Sequence, residues 1–303
     1  MSELNRPLNH QKNALNEITA RARAYFAGHW RSLPITPRWH SLVCGPTGVG
    51  KTALAAMAAD AVGASLLRIS APCWMPSGAH HRGSKESIGV ISEHVYRNER
   101  TLLVIDEIDK LVDGSSGGTG GSGNDAWRSY VRGEIYDLAD GRWPAGMTTP
   151  DDEDCNEIPL EIMTSKLRDS VFVLGIGTFQ EWFDHSASHR TLGFGAETDS
   201  TFREISADTV ARRIPRELAN RFNTDLIRLP ELQKEDYHRI AREAERKLPA
   251  KMQESFRAEV QIRIQGAIDN RKGVRFLEEC MMQVLKKMPN EPEPSAPVME
   301  GMS

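Results

Sequence analysis

Apolar residues at Leu15, Ile18, Ala22 and Tyr25 recur at helical spacing, which predicts an amphipathic helix before a turn-rich stretch holding Pro34 and Pro37. Four short apolar runs then alternate with helical patterns: Leu42–Cys44, Ser65–Ser70, Thr101–Asp106 and Val171–Gly177, with Asp225–Leu229 as a fifth. Continuous runs of that length, separated by helices, are what strands buried on both faces look like, because a parallel sheet carries helices on each side. An α/β domain with a five-stranded, mostly parallel sheet is the expectation. Past Pro230 only helical spacing remains. Tyr237, Ile240, Ala241, Ala244 and Leu248 form one stripe, and Leu277, Cys280, Met281, Val284, Leu285 and Met288 form another. The predicted boundaries are a large α/β domain at 1–229, a small helical domain at 230–288 and a tail at 289–303. That tail is rich in proline and glutamate and is expected to be disordered.

Composition narrows the class. Hydrophobic residues make up 39% and charged residues 26% of 303, ordinary for a soluble globular chain. No apolar run approaches the roughly 18 to 20 residues of a membrane span, and the start, MSELNRPLNHQ, lacks the apolar stretch of a secretory signal, so the expected location is the cytoplasm. Cys44, Cys73, Cys155 and Cys280 are scattered without a CxxC pair, and read as reduced and mostly packing residues. A net charge of −4 argues against nucleic acid as a partner, although it leaves room for a local basic groove. The Gly/Ser stretch Asp113–Asn124 reads either as a flexible connector or as a mobile loop that touches a substrate.

Two motifs carry chemistry. Gly45-Pro46-Thr47-Gly48-Val49-Gly50-Lys51-Thr52 matches G-x-x-x-x-G-K-[ST] between an apolar strand and an Ala-rich helix, the context a phosphate loop requires. Its glycines let backbone N–H groups converge on phosphate oxygens at a helix N-terminus. Lys51 would reach the β- and γ-phosphates, and Thr52 would ligand Mg²⁺. The second motif is the buried strand Thr101–Asp106 followed by Glu107. Asp106 can hold the hydrated Mg²⁺ through water, and Glu107 can orient and polarise the attacking water. ATP hydrolysis with Mg²⁺ is the predicted chemistry.

In the order of its motifs the chain resembles the AAA+ P-loop NTPases, and among them it is similar to the ClpX unfoldases, up to about residue 288. The resemblance implies several further roles. Leu8-Asn9-His10-Gln11 sits where the family has its adenine-side segment, which assigns His10 and Gln11 to the nucleotide. Phe172–Phe179 resembles the sensor-one strand, with Thr178 facing the γ-phosphate. Ile214–Phe222 resembles the stretch that makes Arg221 an arginine finger acting on a neighbour's ATP, and so implies a homo-oligomeric ring, a hexamer. Gly273-Val274-Arg275 resembles the sensor-two motif, with Arg275 reaching bound nucleotide. Leu192, Gly193 and Phe194 lie in a loop similar to the one by which ClpX docks on its ClpP-like peptidase.

The departures from that family are equally specific. The resemblance does not extend to the family's N-terminal zinc-binding domain, so the adaptor function of that module is expected to be absent or supplied elsewhere. The first pore loop corresponds to Gly78–Gly83, where Ala79, His80, His81 and Arg82 replace the family's aromatic grip. Neighbouring Trp74 either supplies the missing apolar contact or is buried. The family has a basic loop at the pore entrance; this chain has Asp151-Asp152-Glu153-Asp154, read as a solvated loop or as an acidic ring that favours cationic segments. The leading expectation is an ATP-driven ring that remodels or unfolds a protein substrate. A machine that loads or moves nucleic acid and an ATP-gated scaffold with little turnover stand as alternatives.

Overall fold

The computed structural model describes residues 7–74, 82–111, 123–144, 158–179, 216–222 and 225–287. The chain divides into two compact units, Met1–Glu231 and Leu232–Ser303. In the first, the described elements run α1 (Asn9–Ala27), β1 (Ser41–Cys44), α2 (Lys51–Val62), β2 (Ser65–Ser70), α3 (Ala71–Trp74), α4 (Arg82–Arg97), β3 (Thr101–Asp106), α5 (Gly123–Ala139), α6 (Leu160–Ser170), β4 (Val171–Gly177), α7 (Arg216–Ala219) and β5 (Ile227–Arg228). Short 3-10 turns lie at His29–Ser32 and Ile108–Leu111.

The five strands form one sheet in the order β2-β3-β4-β1-β5, and every described pair is parallel. Every residue of β1, β3 and β4 is buried, the reason those strands read as unbroken apolar runs. β5 is shorter than the predicted Asp225–Leu229, because only Ile227 and Arg228 pair with β1. Leaving β1, the chain crosses over β4 and β3 to reach β2, while β5 adds to the opposite side of β1. The sheet therefore changes winding direction at β1, and a crevice at the carboxyl ends of strands beside such a point is where open α/β sheets bind ligands.

The predicted stripe of α1 is the buried one: Leu15, Ile18, Ala22 and Tyr25 are all inside. At its start the Gln11 amide oxygen accepts the N–H of Leu8 at 3.0 Å, and at its end the N–H of Gly28, in the left-handed region, returns to the carbonyl of Tyr25. α6 was not isolated by the apolar pattern, although Met163 and Leu167 anchor it in the core.

Behind α1, the ring of His40 is buried against Tyr25 and Phe172 and accepts the N–H of Val173 on Nδ1 at 3.0 Å. Burial pushes its pKa down to about 4 from 6.5, against a smaller opposing hydrogen bond at Ala139. Between those two values the unfolded chain carries the extra proton, so stability falls as pH drops through that window, by about 3 kcal/mol in all. The thermal midpoint of His40→Asn should therefore change less than that of the wild type between pH 6.5 and 4.5. Identical pH slopes would contradict the assignment.

The second unit is helical: α8 (Lys234–Lys247), α9 (Ala250–Asp269) and α10 (Arg275–Lys287). Tyr237, Ile240 and Ala241 bury as the α8 stripe predicts. On α10 the buried line is Phe276, Cys280 and Val284, and Leu285, counted into the predicted stripe, is 54% exposed. The four-residue spacing Phe276–Cys280–Val284 already fills the inner face, and Leu285 is rotated off it. α9 buries a carboxylate, Glu259, which is 3% exposed and ion-paired with Arg263 and Lys287.

Candidate functional site

The carboxyl ends of β1, β3 and β4 carry the phosphate loop, Asp106 with Glu107, and Thr178. β1 is wholly buried, and burial pushes the thiol of its last residue, Cys44, up to about 12, so that it stays protonated and packs as an apolar group. The chain then turns through Gly45–Gly50 into α2. Gly48 (φ 82) and Gly50 (φ 87) lie in the left-handed region, and a Cβ on Gly50 would stand 2.5 Å from Gln11 Nε2.

That contact is part of a tether. The carbonyl of Val49 accepts Gln11 Nε2 at 3.2 Å and pairs with His10 Nε2 at 3.1 Å, and Gln11 Nε2 also reaches the carbonyl of Gly50 at 3.4 Å. In a trans peptide the C=O and N–H point in opposite directions. Holding these two carbonyls from the α1 side turns the N–H groups of Gly50 and Lys51 the other way, toward the face where α2 begins. The first turn of α2 contains no acidic residue, and its leading N–H groups have no partner within the helix. Lys51 closes the loop, its Nζ donating to the carbonyls of Gly45 at 2.7 Å and Pro46 at 2.8 Å. Thr52 is the next residue of α2 and half-buried.

Across the sheet, Asp106 ends β3 and is 7% exposed. Its Oδ1 accepts the N–H of Glu107 at 2.9 Å, and its Oδ2 accepts Arg68 Nε at 2.9 Å and pairs with Arg68 Nη2 at 2.6 Å. Glu107 is exposed, with φ at 57, and receives the Ser70 hydroxyl on Oε2 at 3.3 Å. A non-glycine residue in the left-handed region is strained, and it persists here because both flanking peptide groups are held. The Glu107 carbonyl accepts the N–H of Lys110, while its own N–H is the one on Asp106.

Thr178 follows β4. Its hydroxyl donates to Asp109 Oδ2 at 2.9 Å, and the N–H of Phe179 reaches the same oxygen at 3.0 Å. Asp109 lies two residues past Glu107 on the turn after β3, so one carboxylate fastens the end of β4 to the turn that carries Glu107. Arg68, Ser70 and Asp109 escaped the sequence reading. The signal that could have found the first two is the alternation along β2, which puts Arg68 and Ser70 on one face of the strand.

Arg221 lies beyond α7. Its Nε donates to Asp140 Oδ2 at 3.1 Å, its Nη1 to the carbonyl of Glu217 at 3.0 Å, and its guanidinium sits 4.5 Å from the centre of the Tyr136 ring. Arg275 belongs to the second unit, exposed at the start of α10, where the Tyr237 hydroxyl accepts the N–H of Gly273 and fixes the preceding turn. That unit also holds a cavity of about 520 Å³ lined by Arg242, Arg246 and Arg257, which shares no residue with the phosphate loop.

Trp74 is fully buried, and its indole N–H donates to Glu134 Oε2 at 2.7 Å, so it belongs to the core. Cys44 and Cys280 are buried and Cys73 is exposed. Several readings lie outside the described residues: Ala79, His80 and His81 with the side chain of Arg82; Leu192, Gly193 and Phe194; the acidic run at 151–154; Cys155; most of the Gly/Ser stretch; and the tail.

A phosphate loop after the strand at which a parallel α/β sheet reverses its winding, with a carboxylate at the end of another strand of the same sheet, defines a P-loop nucleotide-binding fold. Residues 41–142 match the family model described as ATPase family associated with various cellular activities (AAA), so this stretch is an AAA ATPase domain, which implies ATP binding and ATPase activity. No curated protein matches the chain. Among the described residues no helix is long and apolar enough to cross a membrane.

The donor set fits Mg²⁺ as well as ATP. Among the described residues no cluster of three or more His, Cys, Asp or Glu could cage a metal. One hydroxyl, Thr52, and one carboxylate, Asp106, suit an ion that takes its remaining ligands from phosphates and water.

Proposed function

We propose that the chain is an ATP-driven remodeller of proteins, acting as a homo-oligomeric ring whose nucleotide sites are completed by a neighbouring subunit. The observation that carries the ATPase reading is the convergence of Lys51, Asp106, Glu107 and Thr178 at the carboxyl ends of three adjacent strands. The backbone N–H groups of Gly45–Thr52 receive the phosphate chain, and Lys51 exchanges its two carbonyl partners for β- and γ-phosphate oxygens, which as anions bind the ammonium more strongly. Thr52 and, through water, Asp106 would hold Mg²⁺, which when bound would supply charge neutralisation at the phosphates. Glu107 orients the attacking water and accepts its proton, and Thr178, aligned by Asp109, faces the γ-phosphate. His10 and Gln11 carry the back of the loop and the adenine side of the site, and Arg275 is the nucleotide sensor that the family resemblance implies.

Arg221 is the finger, and it serves the neighbouring site. Among the described residues it is balanced by the carboxylate of Asp140 and the aromatic face of Tyr136, both near the domain surface. An approaching triphosphate offers the guanidinium more negative charge than Asp140 does, and a finger in this role contributes about 10³- to 10⁵-fold in rate. A protein substrate, rather than nucleic acid, is favoured by the net charge of −4 and by the ClpX-like order of motifs. In that reading Ala79, His80, His81 and Arg82 line the pore, and Leu192, Gly193 and Phe194 dock a ClpP-like peptidase.

The test uses two inactive variants. Arg221→Ala and Lys51→Ala proteins should each be nearly inert, and mixing them should restore part of the turnover. Mixed rings contain sites with an intact phosphate loop from one subunit and an intact finger from the next. No recovery in a verified mixed oligomer, or turnover by a strictly monomeric protein, would count against the shared site.

A further inference from the structure

Arg68 and Ser70 are two residues apart on β2 and so face the same side of the sheet. The register pairs Ser70 with Asp106 and Arg68 with Val104, so Arg68 reaches diagonally toward the end of β3. There its Nε and Nη2 both lie on Asp106 Oδ2, at 2.9 and 2.6 Å, while Oδ1 is occupied by the N–H of Glu107. An oxygen with two close donors has spent both its lone pairs. A second cation beside the same carboxylate would also meet the full positive charge of the guanidinium at short range. The two partners differ in freedom: the Asp106 side chain is 10% exposed and fixed by its strand, whereas that of Arg68 is 54% exposed. An ion pair with one partner half in water opens at little cost.

We propose that Arg68 is a built-in competitor of the metal: it holds Asp106 in the nucleotide-free protein and must swing away before Mg²⁺ is retained, and so it sets the Mg²⁺ concentration at which nucleotide binds tightly. This rests on the reading of Asp106 as the carboxylate on the metal side. The pairing keeps a buried carboxylate neutralised while the site waits for ligand, and it favours the complete Mg²⁺–nucleotide complex over either component. Ser70, on the same face of β2, holds Glu107 in parallel, so both carboxylates of the motif are engaged by one edge strand.

The experiment measures binding rather than turnover. A fluorescent ADP analogue is bound to the full chain and titrated with Mg²⁺, starting from a chelator-treated sample. Arg68→Met should lower the half-saturating Mg²⁺ by about two- to fivefold, the size of a partly exposed ion pair, with affinity in chelator unchanged. Arg68→Lys should fall between the two. In an Asp106→Asn background the Arg68→Met change should have no effect. An unchanged or raised Mg²⁺ requirement in Arg68→Met overturns the proposal, as does an equal shift in the Asp106→Asn background. If Asp106→Asn alone leaves the Mg²⁺ dependence of the wild type intact, the metal-side reading of Asp106 fails, and the proposal with it. That outcome is distinguishable, because it appears without any change at Arg68. Thermal midpoints equal to the wild type's verify that both Arg68 variants are folded.

Discussion

Lys51→Ala is expected to fold as the wild type does and to lose nucleotide affinity by about a hundredfold or more, with turnover falling below detection. The ammonium donates to the carbonyls of Gly45 and Pro46 in its own loop, and its side chain is half-buried at the surface of the domain. Removing it therefore leaves two carbonyls that water can reach, and the thermal midpoint should move little. With nucleotide bound, the same group faces phosphate oxygens, where a charge-assisted hydrogen bond contributes about 1.5 to 3 kcal/mol. Two such bonds account for the loss. Equilibrium binding of a fluorescent nucleotide, read beside a melting curve, separates the two effects. Retained affinity would mean that the triphosphate is held elsewhere.

The second large effect is expected from Glu107→Gln, and it should be confined to the chemical step. Glutamine has the shape of glutamate, so the Ser70 hydroxyl still finds an oxygen to donate to, and the strained backbone at φ 57 stays held by Asp106 and Lys110. The amide cannot accept a proton from water. Loss of a general base of this kind costs about 10²- to 10⁴-fold in turnover, while nucleotide affinity should stay within about threefold. Single-turnover phosphate release, compared with nucleotide affinity, makes the distinction. A parallel loss of both would remove Glu107 from the role of base and make it a binding residue. A variant that binds without hydrolysis should also hold whatever protein the ring acts on, and recovery of that protein would name the substrate.

The fold was legible where one physical demand dominates. β3 and β4 must be apolar on both faces, so Thr101–Asp106 and Val171–Gly177 could be read to the residue. The phosphate loop was legible for a related reason: its backbone conformation requires glycine, and its ligand requires lysine, at fixed spacing. Side chains that act through long-range contacts were not. Gln11 and Val49 are 38 residues apart, and only the packing of α1 beside α2 brings the amide under the loop. Arg68 reaches Asp106 only because β2 is the neighbour of β3, a fact of strand order that apolar spacing does not carry. Asp109 acquires its role only because the end of β4 lies beside it. Leu285 shows the converse limit, since a helical stripe read from spacing is wider than the line of residues the neighbouring helices cover.

The clasp between Trp74 and Glu134 determines how the domain bears tension. Among the described residues β2 is an edge strand, joined to the sheet through β3. A pull entering the chain just after residue 74 would otherwise unzip β2 from its Ser70 end, breaking one ladder bond after another. The indole, seated in the core and tied to α5, intercepts that pull before it arrives. Rupture must then extract a whole aromatic ring from close packing in a single event, and the load passes into α5 and the sheet together rather than along one seam.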